Sequence, residues 1–560
     1  MLRKINVLAA GLIISAFSGF SQELLDGIQI HGNIDIYGQT YNEDSIIGAP
    51  VVPEKAGLNA FTNLIATKGA FTAGVRFESY MPPIQGFDNR YGNQKVGIPY
   101  RYVNFVKEGL DITVGNFYEQ FGTGMILRAY EAPSLGYDNV FDGLRVKYSP
   151  FRGVYLKALA GNQRYYWNKS DGIVRAFDGE VQLNELFTKF NESKLRVALG
   201  GSFVSKFQSA GISSITLPEN VASWASRVQM NYKGFGFTGE YAYKINDPSS
   251  DNNFIYRAGQ GLFLSGTYST KGFGINVSAK TIDNMAFRSD REATINDLFI
   301  NYLPALTRQH TYNLSSTLYP YATQPNGEIG LQADIIYKVK KGTKIGGKYG
   351  TTIQVNLSAI QGHDTTRLSN PNELLTQEYL PNDPTRQGYK TSLFSVGDET
   401  FYRDYNIEIT RKINKSIKLK GSYIHQNYNI DLVQGTATGS NVIADIAVME
   451  GTFKLAKKHS IRAEAQHLWT AQDQGNWAFA LLEYGYSPHW IVSLLNQYNY
   501  GNSNKALRVN YPTAQVTYIK NANRISIGYG RQRAGIFCVG GVCRNVPAAN
   551  GLTVAITSSF

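Results

Sequence analysis

From Ile28 onward, apolar and polar positions alternate along the chain. Ile28, Ile30, Ile34 and Ile36 share one face, and Gln29, His31, Asn33 and Asp35 share the other. A two-residue period with one apolar and one polar side predicts a β-strand whose two faces meet different media. The pattern returns as Phe71, Ala73, Val75, Phe77 against Thr72, Arg76, Glu78, Tyr80. It returns again as Leu195, Val197, Leu199, Phe203 against Arg196, Ser202, and as Ile461, Ala463, Ala465, Trp469 against Arg462, Glu464, Gln466. In the stretch Gly551 to Phe560, Leu552, Val554, Ile556, Ser558 and Phe560 alternate with Thr553, Ala555, Thr557 and Ser559, so a strand runs to a terminal aromatic residue. A wall with lipid outside and water or folded loops inside requires this alternation. It also requires the last strand to pair with the first, because each unmatched N–H or C=O in hydrocarbon costs on the order of several kcal/mol.

Tight turns separate many of the runs: Thr67-Lys68-Gly69, Lys107-Glu108-Gly109, Pro150-Phe151-Arg152-Gly153, Lys233-Gly234, Thr270-Lys271-Gly272, Lys341-Gly342, Asn414-Lys415, Lys457-Lys458 and Ser487-Pro488. Every second connection is long and polar. That asymmetry predicts an all-β, large antiparallel transmembrane β-barrel with short turns on the periplasmic side. Counting hairpins gives about 24 strands, within a range of about 22 to 26. His310 to Leu318 reads either as a wall strand or as part of a folded loop, and Gln361 to Thr400 reads as an extracellular loop.

At the amino end, Met1-Leu2-Arg3-Lys4 is basic, Val7 to Phe20 is mostly apolar, and Gly19 and Ser21 are small. This is the layout of an export signal spanning residues 1–21, with a single barrel domain over 22–560. Its apolar run of roughly 14 residues is too short for a spanning helix. No cysteine near the cleavage point offers a lipid anchor. Because strand alternation begins within a few residues of that point, no N-terminal plug domain is expected. A barrel of this width then needs inward-folded loops to fill its lumen.

Composition sharpens this reading. A mean hydropathy of −0.26 and the absence of a long apolar run exclude a helical membrane protein. The 37 Tyr and 29 Phe suit strands and interfacial girdles, whereas 2 Cys cannot staple a disulfide scaffold. The net charge of +12 suggests nucleic acid or acidic lipid only if the basic residues cluster. They are instead spread through turns such as Lys340-Lys341-Gly342, so no nucleic-acid partner is expected.

One segment, Val114 to Glu131, breaks the two-residue period. It mixes glycines and aromatics with Asn116, Tyr118, Glu119, Arg128, Tyr130 and Glu131. It reads either as a loop packed in the lumen with its charges paired, Arg128 to Glu119 or Glu131, or as a channel constriction that also involves the inward Arg76 and Glu78. Together with Asp171 to Arg175, Tyr241 to Pro248, Ile282 to Met285 and Tyr319 to Glu328, this segment resembles a family of uncharacterised outer-membrane β-barrels of the Bacteroidota. The resemblance implies the location and the barrel type. It implies no chemistry.

Cys538 and Cys543 flank Val539-Gly540-Gly541-Val542, a spacing that allows a disulfide in an oxidising compartment, or an incomplete metal site. The seven histidines, at 31, 310, 363, 425, 459, 467 and 489, fall in no zinc or hydrolase motif. No metal or cofactor is implied. The leading reading is a passive or loop-gated, porin-like channel for a small or medium solute. The alternative is an occluded accessory barrel in a surface, secretion or assembly complex, and an outer-membrane enzyme stands third. The expected partners are outer-membrane lipid, the barrel assembly machinery, which would read Leu552, Val554, Ile556 and Phe560, and an unidentified outer-membrane protein.

Overall fold

A computed structural model describes residues 27–211, 217–368, 387–539 and 542–560. The export signal expected over residues 1–21 lies outside the described residues, as does the centre of the Gln361 to Thr400 loop. Twenty-four antiparallel strands form one closed sheet in which each long strand pairs with its neighbours in chain order. The ring closes where the first strand, Gln29–Thr40, meets the last, Ala549–Ser559, in a register that runs from Asn33 opposite Ser559 to Gln39 opposite Thr553. No helix among the described residues is long and apolar enough to cross a membrane.

The seam is completed by Phe560, whose N–H donates to the Gly32 carbonyl at 2.9 Å and whose carbonyl accepts from the Gly32 N–H at 3.0 Å. Its ring lies over Gly32 so closely that a Cβ there would sit 2.5 Å from the ring. Glycine at this position lets the terminal aromatic residue lie flat across the joint.

The alternation assigns the faces as the sequence requires. Phe71 and Phe77, Leu199 and Phe203, and Trp469 point outward and are exposed, whereas Arg76, Glu78, Glu464 and Gln466 point inward and are buried. Tyr232, Phe235, Tyr337, Tyr486 and Trp490 are exposed on the outer wall near the short turns, with Tyr268 half-buried among them. Phe235 meets Tyr268 at 4.3 Å between ring centres, and Trp490 meets Tyr518 at 4.7 Å. Trp224, Tyr423, Trp469 and Tyr529 are exposed near the other rim. Two aromatic bands flanking an apolar belt are the signature of a wall set in a bilayer.

The predicted tight turns all lie at one end of the barrel. Two connections at that end are longer: residues 183–194 carry a short helix, Leu183–Leu186, and the turn expected to be tight at Lys341-Gly342 is instead a looped connection over residues 340–350. The long connections lie at the other end, where Tyr166 and Trp167 alone form a two-residue turn. His310 to Leu318 is not wall. It belongs to the long connection 284–326, which folds inward and contains the short helix Asn313–Thr317.

Candidate functional site: the packed lumen and the cavity at the seam

The Val114 to Glu131 segment stays in the wall to Phe117, opposite Phe141, but parts from the preceding strand at Gly115. There φ is +99° and a Cβ would sit 2.4 Å from the Arg101 carbonyl oxygen, so the period breaks at a residue that only glycine fits. Asn116 then holds the strand end, its side-chain oxygen accepting from the Arg101 N–H at 2.8 Å. Phe121, Met125, Ile126 and Leu127 turn into the lumen and are fully buried with Met285, Phe287 and Ile300 of the 284–326 connection. The two segments are joined by backbone. Arg128 N–H donates to the Ile300 carbonyl at 2.8 Å and Tyr302 N–H to the Gly124 carbonyl at 2.9 Å. Asn301 donates to the carbonyls of both Met125 and Met285, at 3.0 and 2.7 Å. The rest of the same connection, Leu306 to Tyr321, packs against Tyr402, Ile424, Tyr428, Ile446 and Trp477 in a second apolar cluster.

Charged groups fasten this filling to the wall. Glu78 takes both terminal nitrogens of Arg164, at 2.6 and 2.8 Å, and accepts from Tyr80 at 3.1 Å. Arg76 Nε lies 2.7 Å from Glu78 without hydrogen-bond alignment, while its terminal nitrogens reach Glu131 and Asp138. Asp138 also accepts from Arg164 at 2.7 Å and from Tyr118 at 3.0 Å. Glu119 sits apart from this network, among Lys147, Lys157 and Arg145 at 2.8, 3.0 and 3.6 Å. Burial pushes its carboxyl up, but Lys147 and Lys157 outweigh that and hold it below the usual value.

The structure therefore brings Arg76, Glu78, Tyr118 and Glu131 together and places Asn116 and Glu119 in separate roles. Arg128 pairs with neither Glu119 nor Glu131. Its guanidinium stacks on Tyr130 and Tyr302, at 4.7 and 4.0 Å from the ring centres, because both acids are already taken by other cations. Sequence reasoning missed Arg164 and Asp138, the second half of the network. It also missed His310, which pairs with the buried Asp404. Alternation along Val154–Tyr165 gave no signal for Arg164, which shares its parity with the exposed Ala158 and Ala160 yet is buried at the strand end.

The Tyr319 to Glu328 motif has its own physical reason. Fully buried Glu328 receives Lys280 at 2.7 Å, the Tyr321 hydroxyl and the Gln324 N–H, pinning the return of the long connection to the wall. Cys538 and Cys543 lie directly opposite one another in the hairpin formed by Gly535–Val539 and Val542–Val546. Among the described residues, no group of three or more His, Cys, Asp or Glu could hold a metal ion.

The filling is lopsided. The buried members of the apolar clusters come from strands running from Ala56–Lys68 round to Trp477–Tyr486 and from the connections. Among the described residues none comes from Trp490–Tyr498, Asn510–Lys520, Asn523–Gln532, Ala549–Ser559 or Gln29–Thr40, the five strands at the seam, from which the half-buried Leu495 and Tyr511 reach the edge of one cluster. There the lumen holds a cavity of about 440 Å³ with Gln497, Thr513, Thr553 and Gln39 on the wall side and Asn313, Arg533 and Arg544 on the side of the connections.

Among solved structures, the P pilus usher PapC translocation pore matches with a TM-score of 0.40 and 8% identity, over 95% of this chain and 99% of that one. The siderophore receptor PirA from Pseudomonas aeruginosa matches with a TM-score of 0.37 and 10% identity, over 95% and 80%. The outer-membrane protein OpdK from Pseudomonas aeruginosa matches with a TM-score of 0.35 and 8% identity, over 83% and 99%. No curated protein matches. A family model described as a family of unknown function, DUF6029, matches residues 1–560, and the chain, a closed 24-stranded antiparallel barrel, belongs to that family.

Proposed function

We propose that the protein is an outer-membrane channel for small solutes, narrowed by its own connections to the lumen sector beside the seam. The observation that carries this reading is the lopsided filling. Apolar clusters close the lumen against most of the wall, while the seam strands present mainly polar side chains, with Leu495, to a cavity. A polar lumen sector beside an apolar outer wall is what a solute pathway through a bilayer needs. In this reading the chain is exported by its amino-terminal signal, the short turns face the periplasm, and the terminal strand is presented to the barrel assembly machinery.

Purified protein in liposomes should give conductance or solute-driven swelling, and excision of residues 118–130, which supply Phe121, Met125, Ile126 and Leu127 to the inner filling, should increase it. The extent of the apolar clusters is the observation behind a second reading, an occluded accessory barrel. Silence of both the intact and the excised protein, with both folded by heat-modifiable mobility, would refute the channel and leave that alternative.

A further inference from the structure

Buried cations in this lumen are matched by acids in most places. Arg76, Arg164, Arg227, Arg257 and Arg288 each meet at least one carboxylate. The seam cavity is different. Of the three guanidiniums lining it, Arg531 is taken by Asp44 at 2.6 Å. Arg533 donates to the carbonyls of Thr317 and Ala534, at 2.7 and 3.1 Å, and lies 5.5 Å over the Trp477 ring. No carboxylate pairs with it among the described residues. The acid it feels, Asp473, already accepts from the Tyr319 hydroxyl at 3.0 Å.

Arg544 stacks on Phe87 at 4.3 Å, and its Nε and one terminal nitrogen are buried without an acceptor among the described residues. Burial pulls its guanidinium down to about 10, which leaves it cationic at neutral pH. A buried cation without a counterion is costly, and a planar guanidinium accepts a carboxylate through paired hydrogen bonds. The same cavity carries two more unmet groups, the side-chain oxygens of Asn313 and Gln497. Whichever way these amides are turned, each offers a hydrogen bond to a hydroxyl.

We propose that the seam cavity binds a small polyhydroxylated carboxylate, a sugar acid or hydroxy acid, with Arg533 and Arg544 on its carboxylate and Asn313 and Gln497 on its hydroxyls. A volume of about 440 Å³ suits a ligand of that size. The inference deepens the channel reading by naming the class of solute, and it rests on that reading only for passage of the ligand.

The test is calorimetry on detergent-solubilised full-length protein with D-glucuronate and, as the neutral ring of the same shape, D-glucose. Glucuronate should bind saturably and glucose should not. R533Q and R544Q should each weaken glucuronate roughly tenfold or more, as expected on losing a hydrogen bond to a charged group. R544K should lose less than R544Q. Glucose binding as tightly as glucuronate, no glucuronate binding, or native affinity in the folded double variant would overturn the proposal. The comparison of the two sugars uses unaltered protein, so it stands even if a variant fails to fold. Binding without conductance in liposomes would retire the channel and keep the site, whereas conductance without binding would do the reverse.

Discussion

The network around Arg76 and Arg164 makes a ranked prediction. Two guanidiniums face three carboxylates, Glu78, Asp138 and Glu131, which leaves a formal excess of one negative charge. Charge counting alone would make loss of any one acid equally tolerable. Burial and geometry say otherwise. The Glu78 side chain is 1% exposed and contacts both arginines, so E78Q breaks a buried pair at its centre, at a cost of ~3 to 5 kcal/mol. Asp138, at 8% exposure, also bridges both, but in D138N each arginine keeps Glu78. The loss is then about 1.5 to 3 kcal/mol, the worth of hydrogen bonds to a charged group. Glu131 is 38% exposed, meets only one of the two guanidiniums, that of Arg76, and accepts from the Tyr118 hydroxyl at 3.0 Å, a bond a glutamine oxygen can keep, so E131Q should cost ~0 to 1 kcal/mol. Urea titrations in detergent, scored by heat-modifiable mobility, should order the midpoints as wild type, E131Q, D138N, E78Q. Because Asp138 fastens the inner segment to two wall strands, D138N should also open Arg128 to trypsin before the barrel unfolds. An E131Q midpoint as low as that of E78Q would show that burial does not set these energies.

Two further outcomes are expected. Deleting Phe560, or replacing Phe560 and Ile556 with charged residues, should lower the yield of folded protein in membranes. The deletion removes both backbone bonds to Gly32, and each charge on the lipid face costs ~2 to 4 kcal/mol at mid-depth and less near the rim. Wild-type yield and gel mobility for the doubly charged variant would contradict this. The facing positions of Cys538 and Cys543 lead us to expect a disulfide, so thiol reagents on intact cells should label them only after reduction. Labelling without reductant would exclude the bond.

The wall was legible in the sequence because each of its residues meets either lipid or the lumen, and a period of two encodes that choice residue by residue. The turns were legible for a similar reason, since tight hairpins constrain backbone angles locally. The lumen obeys no such rule. Alternation reports which face a residue is on, but neither its depth nor its neighbour across the barrel. Arg76 and Glu78 were identified as inward, yet their partners Glu131 and Arg164 lie 55 and 86 residues away. The nearest-in-sequence guess, Arg128 with Glu119 or Glu131, failed because those acids were claimed by Lys147, Lys157 and Arg76 from other strands. The unmatched arginines at the seam were invisible for the same reason. Arg533 and Arg544 look like ordinary loop cations until the fold shows that, among the described residues, neither meets a carboxylate. A net charge of +12 spread evenly along a chain thus becomes uneven in space, because the closed sheet decides which cations meet a carboxylate and which are left facing the cavity.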